Sequence, residues 1–225
     1  MPTIHEYLNG LFPGVTLGPS LIDQWKINLH FEFARELYQF IDGSDEINLK
    51  YFEKVFFQAS SIFNSIFSDD DQVFLLVNVY RENDLKYKSK LGLYLKYISD
   101  KNVRYHLQQS TFPYPFPEEE EEEPINAYTI QYSIKCMKRD IQTRLILKAL
   151  TNRDFPPLKP RFSDELGMHY DVFFVNVSKN VIFFMHDDTG CEVISNSLET
   201  LLPLYERYGD WICPFCKDNI DKLFK

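Results

Sequence analysis

The chain lacks the segments that direct a protein to a membrane or across it. Residues 1–7 contain no basic region followed by an apolar stretch, and no window approaches 18 uninterrupted apolar residues. A secretory signal peptide needs the first of these features, and a transmembrane helix needs the second. The sequence therefore predicts a soluble, cytoplasmic protein that does not bind membranes.

Cysteine is also sparse, with four residues spread over a chain of 225. A disulfide framework concentrates more cysteines in a shorter secreted chain, so that class is excluded. A chain of this length buries about 70% of its unfolded surface without such cross-links. Aromatic residues make up 16% of the chain, with 20 Phe and 14 Tyr, and they predict a core and interfaces built from rings.

Positive charge is in deficit. The 24 Lys and Arg residues stand against 33 Asp and Glu, which gives a net charge of −9 and an isoelectric point of about 5.1. Such a field repels phosphate backbones and anionic lipid headgroups. Nucleic acid is therefore excluded as a partner, and a basic protein is favoured. The oligomeric state does not follow from these properties.

Two motifs of common hydrolases are absent as well. The chain has neither a glycine-rich phosphate-binding loop nor a G-x-S-x-G sequence. The sequence therefore lacks the motifs that usually identify nucleotide hydrolases and serine hydrolases, and no cofactor is predicted.

The chain is organised around residues 171–211. Three short apolar runs at residues 172–177, 181–186 and 191–195 predict a strand meander, and a helix follows and ends near Gly209. The turn at residues 178–180 is a tight hairpin in which Asn180 tolerates positive φ. Gly190 is predicted to supply a left-handed position in the second turn. Two residues compete as the N-cap of the helix, Asn196 and Thr200.

The remaining periodicity completes an α+β pattern. Residues 3–12 predict a short helix, residues 25–33 a strand with His30 and Glu32 on its polar face, and residues 49–67 a long amphipathic helix. The apolar run 73–80 predicts a strand covered on both faces, which would complete a strand–helix–strand unit. Another strand at 127–136 and a helix from Asp140 to about Asn152 follow.

The predicted fold class is α+β, with a mixed, mostly antiparallel sheet and helices packed against it, in a single domain of residues 1–225. One segment interrupts the pattern. Residues 111–124 combine three alternate prolines with six consecutive glutamates, so they are predicted to lack regular structure. The segment is either an acidic surface loop, which we favour, or a subdomain boundary.

Cys213-Pro-Phe-Cys216 is a candidate redox or metal motif. A C-x-x-C sequence at a helix start can lower the pKa of its first thiol, as in glutaredoxins. Redox dithiols of that type follow the first strand of a βαβ fold, however, and only nine residues follow Cys216. A zinc site needs a second ligand pair, and the other cysteines and the five histidines show no matching spacing. We therefore interpret the motif as a helix start that carries two thiols, with Cys213 and Cys216 as the alternative metal ligands.

A second candidate site combines imidazoles and carboxylates: His169, Asp171, His186, Asp187 and Asp188. If the first two strands of the meander pair, Asp171 and His186 lie together at the open end of the hairpin. Such a cluster suits a divalent cation or acid–base catalysis. The competing interpretation is ordinary turn chemistry, in which Asp side chains bond backbone amides. The sequence favours the turn, and the acid–base enzyme is the alternative function.

Two sets of residues are candidates for binding a partner. One is the glutamate run, and the other is a pair of tyrosines that belong either to the core or to an exposed interface. The members are Glu118, Glu119, Glu120, Glu121, Glu122, Glu123, Tyr205 and Tyr208.

Four segments, at residues 148–157, 174–183, 187–194 and 202–212, resemble the bacterial domain of unknown function 3885 (DUF3885) family. Residues 8–33 are similar to the N-terminal part of that family. The resemblance implies no established activity or catalytic residues. Members carry acidic and aromatic residues where this chain has Cys213-Pro-Phe-Cys216, which argues against a dithiol function shared by the family. Small acidic proteins of such families often neutralise toxins. The sequence therefore favours a non-enzymatic, immunity-like protein with an acidic surface that binds a basic protein.

Overall fold

A computed structural model describes residues 3–82, 92–115, 127–162 and 170–225. Seven strands form one sheet in the order β1-β7-β6-β5-β2-β4-β3, and every neighbouring pair is antiparallel. The strands are β1 (Asn28–Glu32), β2 (Gln72–Glu82), β3 (Gln108–Pro113), β4 (Ala127–Met137), β5 (Tyr170–Asn176), β6 (Val181–Met185) and β7 (Gly190–Ser195).

Helices cover both faces of this sheet, which confirms the α+β class. The helices of the described residues are α1 (Ile4–Leu11), α2 (Leu49–Ile66), α3 (Gly92–Tyr97), α4 (Lys101–Arg104), α5 (Thr143–Thr151), α6 (Leu198–Tyr208) and α7 (Pro214–Phe224). Short 3-10 turns at Lys138–Asp140 and Gly209–Trp211 follow β4 and α6.

The larger core lies between the sheet and α2, as the amphipathic pattern of that helix predicted. Phe63 stacks on Phe67 at 4.2 Å and meets Phe174 of β5 edge-on at 4.8 Å. On the opposite face α1 packs over a smaller core, where Phe173 and Phe184 stack at 4.5 Å. Strand β2 is consequently buried on both sides, as predicted from its apolar run.

The meander β5–β6–β7 has the predicted arrangement, and Asn180 adopts a positive φ of 53° in its first turn. The prediction for Gly190 was wrong, because Gly190 does not have a left-handed φ. It begins β7, where a Cβ would lie 2.3 Å from the carbonyl oxygen of Phe31 in β1. Glycine is therefore required by the close approach of two backbones.

The predicted strand–helix–strand succession is present as β1, α2 and β2, although three other strands lie between β1 and β2 in the sheet. Strand β1 is shorter than the strand predicted at residues 25–33. Trp25 lies before it and donates its indole N–H to the Ser195 carbonyl at 2.7 Å. Residues 108–113 form the edge strand β3 rather than irregular chain, and an edge strand tolerates Pro113. The glutamates 118–123 lie outside the described residues.

Neither predicted N-cap begins α6. Ser197 occupies that position, so that Leu201 and Leu204 face the core and Pro203 lies beyond the first turn. The helix ends at Gly209, as predicted.

Candidate functional site

The predicted pair Asp187 and Asp188 lies in the turn between β6 and β7. One carboxylate oxygen of Asp187 accepts hydrogen bonds from the Thr189 amide at 2.7 Å and the Thr189 hydroxyl at 2.6 Å. The same oxygen lies 3.1 Å from Nδ1 of His186. Burial alone would raise the pKa of Asp187, but the hydrogen bonds from His186 and Thr189 lower it strongly. Asp187 therefore organises its own turn and orients the His186 ring.

Asp188 points away from that ring. Its Oδ2 accepts hydrogen bonds from the Tyr51 hydroxyl at 2.9 Å and from the Gln39 amide at 3.2 Å. Burial raises the pKa of this carboxyl group. Asp188 thus connects the β6–β7 turn to α2 through Tyr51 and to the loop before α2 through Gln39.

Asp171 is buried on β5, and Arg153 connects it to His186 by donating a hydrogen bond to the His186 carbonyl at 2.6 Å. Asp171 accepts a hydrogen bond from the Tyr80 hydroxyl, and Arg153 lies 3.7 Å from its other oxygen. Burial raises the pKa of Asp171 as well. His169 lies outside the described residues. Of the predicted cluster, the described structure brings together only His186 and Asp187 as a hydrogen-bonded pair.

A cavity of about 430 Å³ lies between α1 and strands β2, β3 and β4. Its lining includes His5, Asn78, Tyr80, Phe112, Thr129 and Gln131. Within the described ranges, no carboxylate, thiol, lysine or arginine side chain lines it, and its lining includes the imidazole of His5. The predicted acid–base cluster therefore does not converge on this cavity.

The thiol–imidazole cluster consists of His30, His186, Glu192, Cys213 and Cys216. His30 of β1 is the cross-strand partner of Glu192 in β7. The chain before α7 runs along the free edge of β1, and the Cys213 amide donates a hydrogen bond to the His30 carbonyl at 2.8 Å. The start of α7 thereby brings both thiols to His30.

The potential ligand atoms of this cluster lie close together. Those of His30, Cys213 and Cys216 are all within 4.8 Å of one another, and so are those of His30, His186 and Glu192. The Cys216 sulfur lies 3.5 Å from Nδ1 of His30. Glu192 is buried, and its carboxylate accepts a hydrogen bond from the Leu21 amide at 2.6 Å.

The ionisation of these groups does not suit a redox dithiol. Burial, helped by the neighbouring Cys213, raises the pKa of Cys216 to about 11. Reactive dithiols instead require a lowered thiol pKa. Burial and the nearby His186 lower the pKa of His30, so its ring is neutral at pH 7 and can offer a lone pair.

Sequence reasoning missed His30 and Glu192 as members of this cluster. His30 is 186 residues from Cys216, so no ligand spacing links them. The one available signal was the position of His30 on the polar face of a strand.

A second feature that sequence reasoning missed is the acidic loop, residues 36–49. It contains Glu36, Asp42, Asp45 and Glu46 and no Lys or Arg. It also exposes large apolar side chains, with Tyr38 80% and Leu49 59% exposed and two more about half exposed, Phe40 and Ile41. Exposed apolar groups beside carboxylates are characteristic of a protein interface.

The acidic loop is held in place by its own hydrogen bonds. The Ile41 amide donates to the Glu46 carbonyl at 2.9 Å, and the Asn48 amide donates to the Gln39 carbonyl at 2.8 Å. The Asn48 side chain also donates to the Tyr38 carbonyl at 2.9 Å. Together with the bond from Gln39 to the β6–β7 turn, these contacts order the backbone that carries the exposed side chains.

The predicted partner-binding tyrosines take part in packing between helices. Tyr205 stacks on Phe224 at 4.7 Å and donates its hydroxyl to Asp221 at 2.8 Å. Tyr208 is buried and stacks on Trp211 at 4.8 Å. The predicted glutamate run lies beyond the part of the chain that the structure describes.

None of the helices in the described residues has the length and apolar character that crossing a bilayer requires. A family model described as "Domain of unknown function (DUF3885)" matches residues 4–216. The chain is 39% identical over 208 residues to "Uncharacterized protein YnaE" of Bacillus subtilis (strain 168), which covers 92% of this chain and 95% of the relative. No solved structure matches the chain.

Proposed function

The chain belongs to the DUF3885 family, and from that premise we propose that it is a protein-binding module whose acidic loop docks a basic protein. The most concrete version of this function is immunity-like, in which the chain neutralises a cationic toxin by covering its surface. The observation that supports the proposal is that the acidic loop combines exposed aromatic rings with four carboxylates and contains no Lys or Arg.

The apolar side chains of the loop supply the anchors. Tyrosine is enriched among the residues that dominate binding energy, because its ring buries a large area and its hydroxyl accepts or donates a hydrogen bond. Tyr38 is 80% exposed, while the neighbouring Phe40 packs one side of its ring near Phe155 at 5.8 Å. The loop thus presents one free ring beside a supported one.

The carboxylates select the partner. Lys54 forms an ion pair with Glu36, whereas Asp42, Asp45 and Glu46 surround the tip of the loop and are exposed. Charges at the rim of an interface mainly steer association and exclude partners of like charge. The net charge of −9 extends this steering beyond contact distance, which suits a protein that must capture a basic partner quickly.

The order of the loop lowers the cost of binding. Its backbone already forms hydrogen bonds across the turn, so docking immobilises few additional torsions. The alternative acid–base enzyme gains no comparable support, because Asp171 and Asp188 bond to different tyrosines and neither lines the cavity.

The test is a binding titration against a basic protein, for which the products of adjacent reading frames are the first candidates. We compare Asp42→Asn/Glu46→Gln in the loop with Glu199→Gln/Glu206→Gln on exposed positions of α6, since both changes remove two negative charges. The loop variant is expected to weaken binding about tenfold, mainly through slower association, and the α6 variant to have little effect. Tyr38→Ser and Tyr105→Ser, both at exposed rings, form a second matched pair.

Equal losses from both charge variants would show that only net charge matters and would contradict docking at the loop. Unchanged binding by Tyr38→Ser would contradict the role of the ring. Failure of the purified chain to bind any product of the adjacent frame, combined with turnover of a small molecule, would favour the enzyme.

A further inference from the structure

We propose that the thiol–imidazole cluster binds a zinc ion, with Cys213, Cys216, His30 and His186 as its four ligands. This site is independent of the acidic loop and of the partner that the loop docks. The ligand atoms of His30, Cys213 and Cys216 lie within 4.8 Å of one another, and His186 belongs with Glu192 to a second such group that shares His30.

The donor types suit this metal. Zinc favours thiolate sulfur and imidazole nitrogen in a four-coordinate tetrahedral arrangement, and two cysteines separated by two residues are a common half of such a site. With zinc–sulfur and zinc–nitrogen bonds of about 2.3 and 2.0 Å, tetrahedral geometry puts sulfur and nitrogen about 3.5 Å apart. The Cys216 sulfur and Nδ1 of His30 are separated by 3.5 Å.

His186 is positioned as the fourth ligand by its neighbour. Nδ1 of His186 lies 3.1 Å from the Asp187 carboxylate, and in the tautomer in which Nδ1 donates to that carboxylate, Nε2 keeps its lone pair. A carboxylate behind a metal-bound histidine is a recurrent arrangement, because it fixes the tautomer and the ring orientation. His186 also lies close to His30, with ring centroids 5.9 Å apart.

Glu192 is the competing fourth ligand, and its hydrogen bonds argue against that role. Its two oxygens already face the Leu21 amide at 2.6 Å and the Ser20 hydroxyl at 3.4 Å. These bonds hold the carboxylate toward the loop before β1. We therefore assign Glu192 to the surroundings of the ion rather than to its ligands.

Gly190 supports the same geometry. A Cβ at this position would lie 3.3 Å from both Cε1 and Nε2 of His186. The ring is therefore packed against the first residue of β7, and this contact limits its rotation away from His30.

The metal would join the C-terminal helix to the sheet. His30 belongs to the edge strand β1, and Cys213 and Cys216 belong to the first turn of α7. Four protein ligands leave no open position for a substrate, so the proposed site is structural. The alternative chemistry for two adjacent thiols, a disulfide, would not require either histidine.

The first test uses the full chain. The metal content of protein purified without chelator is measured by mass spectrometry, and cobalt is then titrated into metal-free protein. We expect one zinc per chain, and we expect tetrahedral cobalt with thiolate-to-metal charge-transfer absorption. Cobalt without a thiolate band, or reduced protein that binds neither metal, would overturn the proposal. So would a Cys213–Cys216 disulfide in protein purified under reducing conditions.

Variants assign the ligands. Cys213→Ser/Cys216→Ser and His30→Asn are each expected to lower zinc affinity at least 100-fold. Two controls outside the cluster, Cys136→Ala and His106→Asn, are expected to retain zinc. If Cys213→Ser/Cys216→Ser and His30→Asn bound zinc as tightly as the controls, the site would be elsewhere. A larger loss from Glu192→Gln than from His186→Asn would overturn the choice of the fourth ligand.

Thermal unfolding separates binding from misfolding of the variants. Zinc in large excess over its dissociation constant is expected to raise the melting temperature of the wild-type chain by about 5 °C or more. The increase should persist in His106→Asn and disappear in His30→Asn. A wild-type melting temperature that is the same with zinc and with chelator would contradict a structural metal.

Discussion

Replacing Gly190 by alanine tests the placement of β1 beside β7, on which the thiol–imidazole cluster depends. A Cβ at Gly190 would lie 2.3 Å from the Phe31 carbonyl oxygen, whereas ordinary van der Waals contact begins near 3.4 Å. The two backbones would have to separate by about 1 Å. Neither backbone can move easily, because Phe31 is fully buried and pairs with Cys191 of β7.

The expected cost of Gly190→Ala is about 3 kcal/mol, at the upper end for overpacking a buried site, since a backbone rather than a flexible side chain has to yield. For a chain of this size that loss lowers the melting temperature by about 6 to 12 °C. Calorimetry and chemical denaturation measure it directly.

Gly209→Ala is the matched control. Gly209 has a φ of −54°, and a Cβ there meets no atom within 4 Å. Its effect on the free energy of unfolding is expected to stay within about 0.5 kcal/mol. If Gly190→Ala were as stable as Gly209→Ala, the strand order β1-β7 would be wrong, and so would the approach of His30 to Glu192.

Three further predictions concern the core and two buried carboxylates. Phe63→Ala should cost about 3 to 5 kcal/mol of unfolding free energy, because this α2 side chain stacks on Phe67 and packs against Phe174 of the sheet. Tyr80→Phe should cost about 1 to 3 kcal/mol in denaturant titrations, since it removes a hydrogen-bond donor from buried Asp171. Although burial acts to raise it, hydrogen bonds hold the pKa of Asp71 below its ordinary value. The resulting stability is present above the unfolded pKa of about 3.9 and is lost as the pH falls through the lower folded value. The difference in stability between wild type and Asp71→Asn should therefore be full at pH 7 and shrink below pH ~4; a difference independent of pH would contradict it.

Local patterns were sufficient to predict much of the fold. The meander followed from short apolar runs separated by turn residues, and the central position of β2 followed from its uninterrupted apolar sequence. Both features depend on neighbours in sequence or on burial alone. The position of β1 depends instead on pairing between residues about 160 positions apart, and no local pattern reports that distance.

The candidate sites were harder to predict for the same reason. The thiols were visible as a motif, but their imidazole partner His30 lies on a strand near the other end of the chain. The acidic loop has no side-chain periodicity that predicts an element, because most of the hydrogen bonds that order it join backbone groups. Its function depends on exposure, which only the packed structure reveals.

Site-specific photo-crosslinking from position 38 in living cells tests the proposed docking most directly. With a photoreactive residue in place of Tyr38, we expect a covalent adduct with a basic protein, and we expect no such adduct from position 105, which is 87% exposed outside the acidic loop. The adduct should diminish when Asp42→Asn/Glu46→Gln is added. The same adduct from both positions, or none from position 38 in cells that produce the basic protein bound in the titration, would contradict the docking of a basic partner at this loop.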